Sequence, residues 1–162
     1  MSGVAEVERL AKLLAKYNIP GRQLRLLYEA YARRGVDAFK RLLKQQAARG
    51  LIPPEVIKAL IDSAPSREEF SQACRLVDYE FIKPLTELWN ETCQELDRLG
   101  VKLELSTIRS VRVLRREHNR VVIELKVERG ATIDVRALER AYGKVLSKEL
   151  GREFVVHIKL RR

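Results

Sequence analysis

The stretch RVVIELKV, residues 120–127, decides the fold of the carboxy-terminal part of the chain, because every second residue from Val121 to Val127 is apolar. Alternation with a period of two, in a segment rich in β-branched residues, predicts a β-strand with one buried face. Residues 111–113 alternate in the same way before it, and residues 154–160 do so after it. The sequence therefore predicts a small sheet, which we expect to be antiparallel.

The segments between these strands predict turns and one helix. Residues 115–119, RREHN, predict a hairpin loop in which Asn119 can take the left-handed conformation. A slip in the alternation around Ser106–Ile108 predicts a bulge, a bend or two separate strands. The apolar spacing over 134–150 predicts a helix that begins at an aspartate cap and ends at Gly151.

Towards the amino terminus the apolar residues recur at the spacing of an α-helix. Glycine and proline separate four amphipathic segments, at about 4–17, 22–34, 37–49 and from 54 onward. A capping box at Ser66–Glu69 then opens an apolar stripe that runs to Leu99. Pro84 lies inside the stripe and must kink or split the helix 66–99, because proline has no backbone N–H.

The predicted fold class is α+β, with a helical region over residues 1–100 packed on a sheet region over residues 101–162. We expect the two regions to form one compact unit. The chain of 162 residues is 46% hydrophobic, which is enough for a proper core. No apolar run reaches the length of a transmembrane helix, and Met1-Ser2-Gly3 leads directly into an amphipathic pattern, so we expect a cytoplasmic protein without a secretory signal.

Charge is the most informative feature for function. The chain has 32 Lys and Arg against 22 Asp and Glu, which gives a net charge of +10. Residues 1–60 carry +7 and residues 101–162 carry +8, whereas residues 61–100 carry −5. Such an excess indicates a polyanionic partner such as nucleic acid, and any contact surface should avoid the acidic middle. The few Asn and Gln beside so many charged residues are typical of a thermophilic source.

The alternation assigns a row of cations to the face of the sheet opposite its apolar residues. Rigid strands that carry cations suit a phosphate backbone, although a solvated face would have the same composition. Val122 and Val155 fall on this face too, which suggests that the long helix covers part of it. The candidate contacts on the strands and at the expected hairpin tip are Arg112, Arg115, Arg116, Arg120, Lys126, His157, Lys159 and Arg161.

Further candidates lie among the helices. Arg33 and Arg34 end the second helix, and Tyr79 lies off the apolar stripe of its helix, where it can stack on a base. Tyr31 and Phe39 fall on apolar stripes, so we expect them in the core. The second and third helices also fit a helix-turn-helix with Lys40, Arg41 and Lys44 facing a DNA groove.

No motif points to catalysis. The sequence has no glycine-rich phosphate loop and no HExxH zinc motif. His118 and His157 have no carboxylate or cysteine at ligand spacing, and Cys74 and Cys93 predict free thiols. We therefore expect a protein that is not an enzyme and that needs no cofactor and no metal.

In size, basic charge and the arrangement of helices around an antiparallel sheet, the chain resembles the archaeal ThermoDBP-type single-stranded nucleic-acid-binding proteins. It lacks the carboxy-terminal leucine zipper associated with that family. The resemblance covers most of the chain and implies a cleft between helices and sheet that holds unpaired bases.

Two main functional hypotheses follow from the sequence, beside a third, an enzyme of a type that no motif identifies. The first is a nucleic-acid-binding protein, with single-stranded DNA or RNA favoured, in which strand cations contact phosphates and exposed aromatic rings stack on bases. The second is a protein-interaction or oligomerisation module, in which the helix 66–99 docks a partner or a second copy of the chain. Neither hypothesis involves a membrane.

Overall fold

Seven α-helices and three β-strands make up the described part of the chain, residues 2–117 and 119–162 of a computed structural model. The expectations placed on Met1 and His118 lie outside these residues. The helices are α1 Ser2–Lys16, α2 Gly21–Arg34, α3 Val36–Ala48, α4 Pro54–Ser63, α5 Arg67–Thr86, α6 Trp89–Arg98 and α7 Val135–Leu150. The strands are β1 Ile108–Glu117, β2 Arg120–Val127 and β3 Val155–Arg161.

The chain divides into two compact units, one that extends to Val77 and one that spans Asp78–Arg162. The boundary lies within α5, whereas the change of apolar period in the sequence lies near residue 100. Each unit has its own buried side chains, because each contains complete amphipathic elements. In the first unit the largest of these are Leu14, Ile19, Leu27, Leu43, Ile52, Leu60 and Phe70.

An aromatic cluster organises the core of the first unit. The ring centroids of Tyr31 and Phe39 lie 4.6 Å apart, and those of Phe39 and Phe70 lie 5.0 Å apart. The Tyr31 hydroxyl donates a hydrogen bond of 2.8 Å to the carbonyl of Pro65. Tyr31 and Phe39 are therefore core residues, as their positions on the apolar stripes predict.

The capping box and the proline act as the sequence predicts. The Ser66 hydroxyl accepts from the Glu69 N–H, and the Glu69 carboxylate accepts from the Ser66 N–H. The helix continues through Pro84 to Thr86, and a new helix begins at Trp89. The predicted helix 66–99 is therefore split into α5 and α6, and the Thr92 hydroxyl donates to the carbonyl of Pro84 across the break.

The sheet has the order β1-β2-β3, with β1 antiparallel to β2 and β3 parallel to β2. The prediction of an α+β fold is confirmed, and the prediction of an antiparallel sheet is wrong. The 16 residues of α7 form a helix about 24 Å long, which returns the chain to the start of β2. Val155 is consequently paired with Arg120, and β3 runs in the same direction as β2.

Two extra residues in β1 change which side chains face outward. The register with β2 slips between Ile108 and Ser110 and again between Val113 and Arg115. Arg109 and Leu114 are therefore bulge residues. The strand continues to Glu117, so the hairpin loop expected over residues 115–119 is shorter than predicted.

In the described part of the chain, no helix combines the length and the apolar character that a bilayer crossing requires.

Candidate nucleic-acid interface

The strand register defines one polar face of the sheet, which we call the outer face. The buried face consists of apolar side chains such as Val121, Ile123 and Leu125. The outer face consists of Ser110, Arg112, Arg115, Glu117, Arg120, Val122, Glu124, Lys126, Val155, His157, Lys159 and Arg161. Six of these side chains are cationic and two are carboxylates, so the outer face carries four net positive charges with His157 neutral.

The outer face is open to solvent along β3. Val155 is 55% exposed, and His157, Lys159 and Arg161 are also exposed. Val122, by contrast, is only 1% exposed. It lies on the central strand with Arg115 and His157 beside it in the register.

Half of the outer-face cations form ion pairs with carboxylates of the protein itself. The Nε atom of Arg112 lies 2.9 Å from Oε1 of Glu124, and Nη1 of Arg161 lies 3.9 Å from the same oxygen. Nε of Arg115 lies 2.9 Å from Oε1 of Glu117. All three guanidiniums are more than half exposed, so these ion pairs contribute little stability and can exchange for a phosphate.

The remaining cations have no such partner. Within residues 2–117 and 119–162, Arg120, Lys126 and Lys159 make no ion pair with a carboxylate. They lie on β2 and β3, so the hydrogen-bonded backbone of the sheet fixes the positions of their Cα atoms. From the Arg120 row to the Lys126 row the outer face extends about 20 Å at ~3.3 Å per residue.

Arg116 does not belong to this face, which corrects its expected place at an exposed hairpin tip. Its guanidinium Nε lies 2.9 Å from Oδ1 of Asp78, and its Cζ lies 5.9 Å from the ring centroid of Phe81. The side chain is 8% exposed. The bulge at Leu114 turns Arg115 outward and Arg116 inward, so Arg116 has a structural role.

A second cationic cluster, which we call the basic groove, lies at the end of β2. The groove has a volume of ≈ 420 Å³ and is lined by Arg109, Lys126, Val127, Glu128, Arg129 and Arg162. It continues the outer face because Lys126 belongs to both. Sequence reasoning missed Arg109, Arg129 and Arg162, since a bulge, a loop and the residue after β3 have no place in an alternation pattern.

Hydrogen bonds hold the segments that form the basic groove. The Glu128 N–H donates to the Thr107 carbonyl at 2.9 Å, and the Ala131 N–H donates to the Glu128 carbonyl at 3.2 Å. Gly130 closes this turn at φ 82°, a left-handed conformation that glycine adopts without strain. Nη1 of Arg162 donates to the Ala131 carbonyl at 2.7 Å. These contacts bring the start of β1, the loop after β2 and the end of β3 together.

Aromatic rings are scarce on the outer face, where His157 is the only ring among the side chains that the register assigns. Its Nδ1 lies 3.3 Å from Oε2 of Glu139 on α7. Tyr79 is exposed on α5, and its hydroxyl hydrogen-bonds to the Glu87 carboxylate. The expectation of base stacking therefore depends on these two rings.

The candidates Arg33 and Arg34 lie in the first unit. Arg33 and Arg34 are exposed in the last turn of α2. Gly35 alone connects α2 to α3, with φ 88°. A helix-turn-helix has a turn of three or four residues, so this connection does not have that geometry.

The apolar stripe of the predicted helix 66–99 is largely used inside the chain. Phe70, Val77, Phe81 and Leu85 have no exposed surface, and Leu96 is 1% exposed. The surface on which the interaction-module hypothesis depends is therefore occupied by the protein's own core.

In the part of the chain that the structure describes, Cys93 and Tyr142 have shifted pKa values, and neither residue lies on the outer face. Burial raises the pKa of the Cys93 thiol, and the nearby Asp97 carboxylate adds to the effect. Burial raises the pKa of Tyr142 well above its usual value. Among the described residues, no group of three or more metal-ligating side chains occurs.

No family model, no curated protein and no solved structure matches this chain. The case for a function therefore depends on the outer face and the basic groove.

Proposed function

We propose that the protein binds single-stranded DNA or RNA through the outer face and the basic groove. The observation that carries the proposal is the excess of six outer-face cations over two carboxylates, on strands whose backbone fixes their spacing. The basic groove extends the same surface by Arg109, Arg129 and Arg162. Cations on rigid strands lose little conformational freedom when they contact phosphates, and their counterion release favours binding.

The shape of the face favours one nucleic-acid strand over a duplex. The cations of β1 and β3 lie on either side of β2, about 10 Å apart. A single phosphate backbone can follow this narrow track, and its unpaired bases can reach exposed Val155 and the His157 ring. A duplex keeps its bases stacked, so it cannot use these apolar and ring surfaces.

The resemblance to the ThermoDBP-type proteins agrees with this function. It rests partly on an antiparallel sheet, and the sheet of this chain is mixed. The resemblance is then based on size, charge and helix content alone. The proposal therefore depends on the outer face and not on the resemblance to that family.

A binding experiment with charge-matched variants tests the proposal. Fluorescence anisotropy measures the affinity for labelled oligothymidylate, oligouridylate and a duplex at low salt. The variant Lys126→Glu/Lys159→Glu reverses two unpaired outer-face cations. The variant Lys58→Glu/Lys102→Glu has the same net charge, and its exposed lysines lie outside the outer face and the basic groove.

We expect the outer-face variant to weaken single-strand binding at least tenfold more than its charge-matched control. Glu124→Gln should act in the opposite direction, because it removes the carboxylate nearest to Arg112 and Arg161. Equal losses in the two double variants, or no binding of any oligonucleotide at low salt, would show that the outer face is not the contact surface.

A further inference from the structure

The basic groove differs from the outer face in how its charge is arranged. Four cationic side chains and one carboxylate line a single concavity, which leaves three net positive charges there. On the outer face, four net charges are spread over three strands. The net positive charge per residue is therefore higher in the groove than on the outer face as a whole.

Two of the groove's guanidiniums contact oxygen atoms of the protein. Arg162 donates to the Ala131 carbonyl, and Nη2 of Arg109 lies 3.6 Å from Oε1 of Glu128. Arg129 and Lys126 are exposed, and neither pairs with a carboxylate of the described chain. The groove thus has two cations that contact protein oxygens and two that make no ion pair with a described carboxylate, and all four side chains are exposed.

The position of the groove matters as much as its charge. Lys126 is the last outer-face residue of β2, and the loop that contains Arg129 follows it. A nucleic-acid strand that follows the outer face towards this loop leaves the sheet at this point. The phosphate that arrives in the groove is either an internal phosphodiester of a longer strand or the phosphomonoester at a strand end.

Charge separates these two ligands. An internal phosphodiester carries one negative charge, whereas a terminal phosphomonoester carries about two near pH 7 and has three acceptor oxygens. A groove with three net positive side-chain charges gains more from the dianion. Its volume of ≈ 420 Å³ also exceeds what one phosphate group needs, so the terminal sugar fits beside it.

We propose that the basic groove binds the terminal phosphomonoester of a nucleic-acid strand, so that the protein recognises one phosphorylated strand end. This inference rests on the proposed function, because the outer face holds the rest of the strand. It adds a preference that the outer face alone does not have, which is discrimination between phosphorylated and hydroxyl ends.

The test uses the full chain and four oligothymidylates of about ten nucleotides, within the usual site size of single-strand binders. One has hydroxyl groups at both ends, one has a 5′-phosphate, one has a 3′-phosphate, and one has both. Each of the four, unlabelled, competes for the protein with the same labelled oligonucleotide. We expect a phosphate at one end, and not at the other, to lower the Kd about tenfold.

The variant Arg129→Glu/Arg162→Glu should abolish the difference in Kd between the phosphorylated and the hydroxyl-ended strand, whereas Lys58→Glu/Lys102→Glu should keep that difference. Thermal unfolding checks that both variants fold. Inorganic pyrophosphate should remove the advantage in the unmodified protein.

The hydroxyl-ended strand separates the two proposals. If it binds and a terminal phosphate at either end changes the Kd less than twofold, the strand-end inference fails and the proposed function stands. Equal gains at both ends would also overturn the inference, since a general charge effect does not distinguish them. If no strand binds at low salt, the proposed function fails with it.

Discussion

Arg115 and Arg116 are neighbours in sequence with opposite environments. Arg115 is exposed on the outer face, whereas Arg116 is buried against Asp78 and Phe81. The sequence could not distinguish them, because the difference comes from one bulge residue, Leu114. Without the bulge, simple alternation would give the wrong face to every residue after it.

The two arginines give a matched pair of alanine variants. Arg115→Ala should change the free energy of unfolding by less than about 0.5 kcal/mol, since an exposed ion pair contributes little. Arg116→Ala should lower it by roughly 1–3 kcal/mol, because it removes a buried stem, a cation–π contact and an ion pair. Urea denaturation measures both values. Oligonucleotide affinity should fall only for Arg115→Ala, and the reverse pattern would contradict the assigned faces.

Tyr142 is the buried residue whose ionisation matters most for stability. Its side chain has no exposed surface, and its hydroxyl donates to the Phe81 carbonyl. Burial raises its pKa in the folded state, so the folded protein requires the neutral phenol. The stabilisation it provides is complete below the unfolded pKa of about 10 and declines as the pH rises through the folded pKa.

Tyr142→Phe should therefore cost about 0.5–1.5 kcal/mol near pH 7, the usual value of a buried hydrogen bond. Above about pH 10 the difference between the two proteins should shrink, because only the unmodified protein must keep a buried phenol neutral. Urea denaturation at pH 7, 10 and 11 measures the difference. A gap that widens at high pH would contradict the assigned burial of the hydroxyl.

At the scale of elements, α7 covers hydrogen-bonding groups of the edge strand β3. The Ile158 N–H donates to Oε2 of Glu139 at 2.7 Å, and the Phe154 N–H donates to the Ser147 hydroxyl at 2.9 Å. Edge strands with unpaired backbone groups favour pairing between molecules. These two side chains satisfy amides that an additional strand would otherwise use.

Glu139→Ala should lower the free energy of unfolding by about 1 kcal/mol, since it leaves the Ile158 N–H without an acceptor. It should also increase self-association at high concentration through the opened edge. Light scattering against concentration measures this effect. Glu139→Gln is the control, because its amide oxygen can still accept the hydrogen bond, and equal association of the two variants would count against the edge mechanism.

Gly143 is a second informative position on α7. A Cβ atom there would meet the Phe154 carbonyl oxygen at 3.7 Å and Cγ2 of Val156 at 3.8 Å, both ordinary contact distances. Gly143→Ala should therefore stabilise the protein by about 0.5–1 kcal/mol, the usual difference between these residues inside a helix.

Gly151→Ala provides the comparison for that prediction. Gly151 ends α7 at φ 69°, so the same substitution should destabilise the protein there. Thermal unfolding measures both variants, and a loss of stability in Gly143→Ala would mean that α7 packs closer to β3 than these distances indicate.

Local signals in the sequence predicted the helix boundaries well. The pairing of strands that are distant in the sequence was predicted less well. The Ser66–Glu69 box, the break near Pro84 and the cap at Asp134 each depend on residues within one or two turns. The parallel pairing of β3 depends on where α7 returns the chain. The order hairpin, helix, strand predicts a parallel pairing, because a helical crossover between two strands favours it. Apolar alternation alone does not give the direction of a strand.

At the scale of the whole molecule, the net charge of +10 indicated a polyanionic partner but not the surface that meets it. Six of the cations share the outer face. Strand alternation predicted this face for five of them, and the sixth, Arg115, was expected at the hairpin tip. Ion pairs with Glu117 and Glu124 reduce the effective charge. These pairs and the basic groove depend on register and loop closure, which a linear sequence does not reveal.

The salt dependence of binding should report the number of cations that contact phosphate. Single strands lose affinity with a slope of about −0.7 in log K against log salt for each phosphate neutralised. If all six outer-face cations contact phosphate, the slope is about −4, and Lys126→Glu/Lys159→Glu should make it shallower by at least about 1.4. Anisotropy titrations at several salt concentrations measure both slopes, and identical slopes would exclude these lysines from the contact.

The bulge at Leu114 also has an evolutionary consequence. β1 has 10 residues and β2 has 8, and the two bulges account for the difference. Deleting Leu114 would leave the side-chain facing of β1 unchanged, because Val113 and Arg115 already pair with two consecutive residues of β2, Ile123 and Val122. A homologue with a one-residue deletion there should therefore keep an exposed position followed by a buried one, and an alignment gap placed at a later position of β1 would mispair the two arginines.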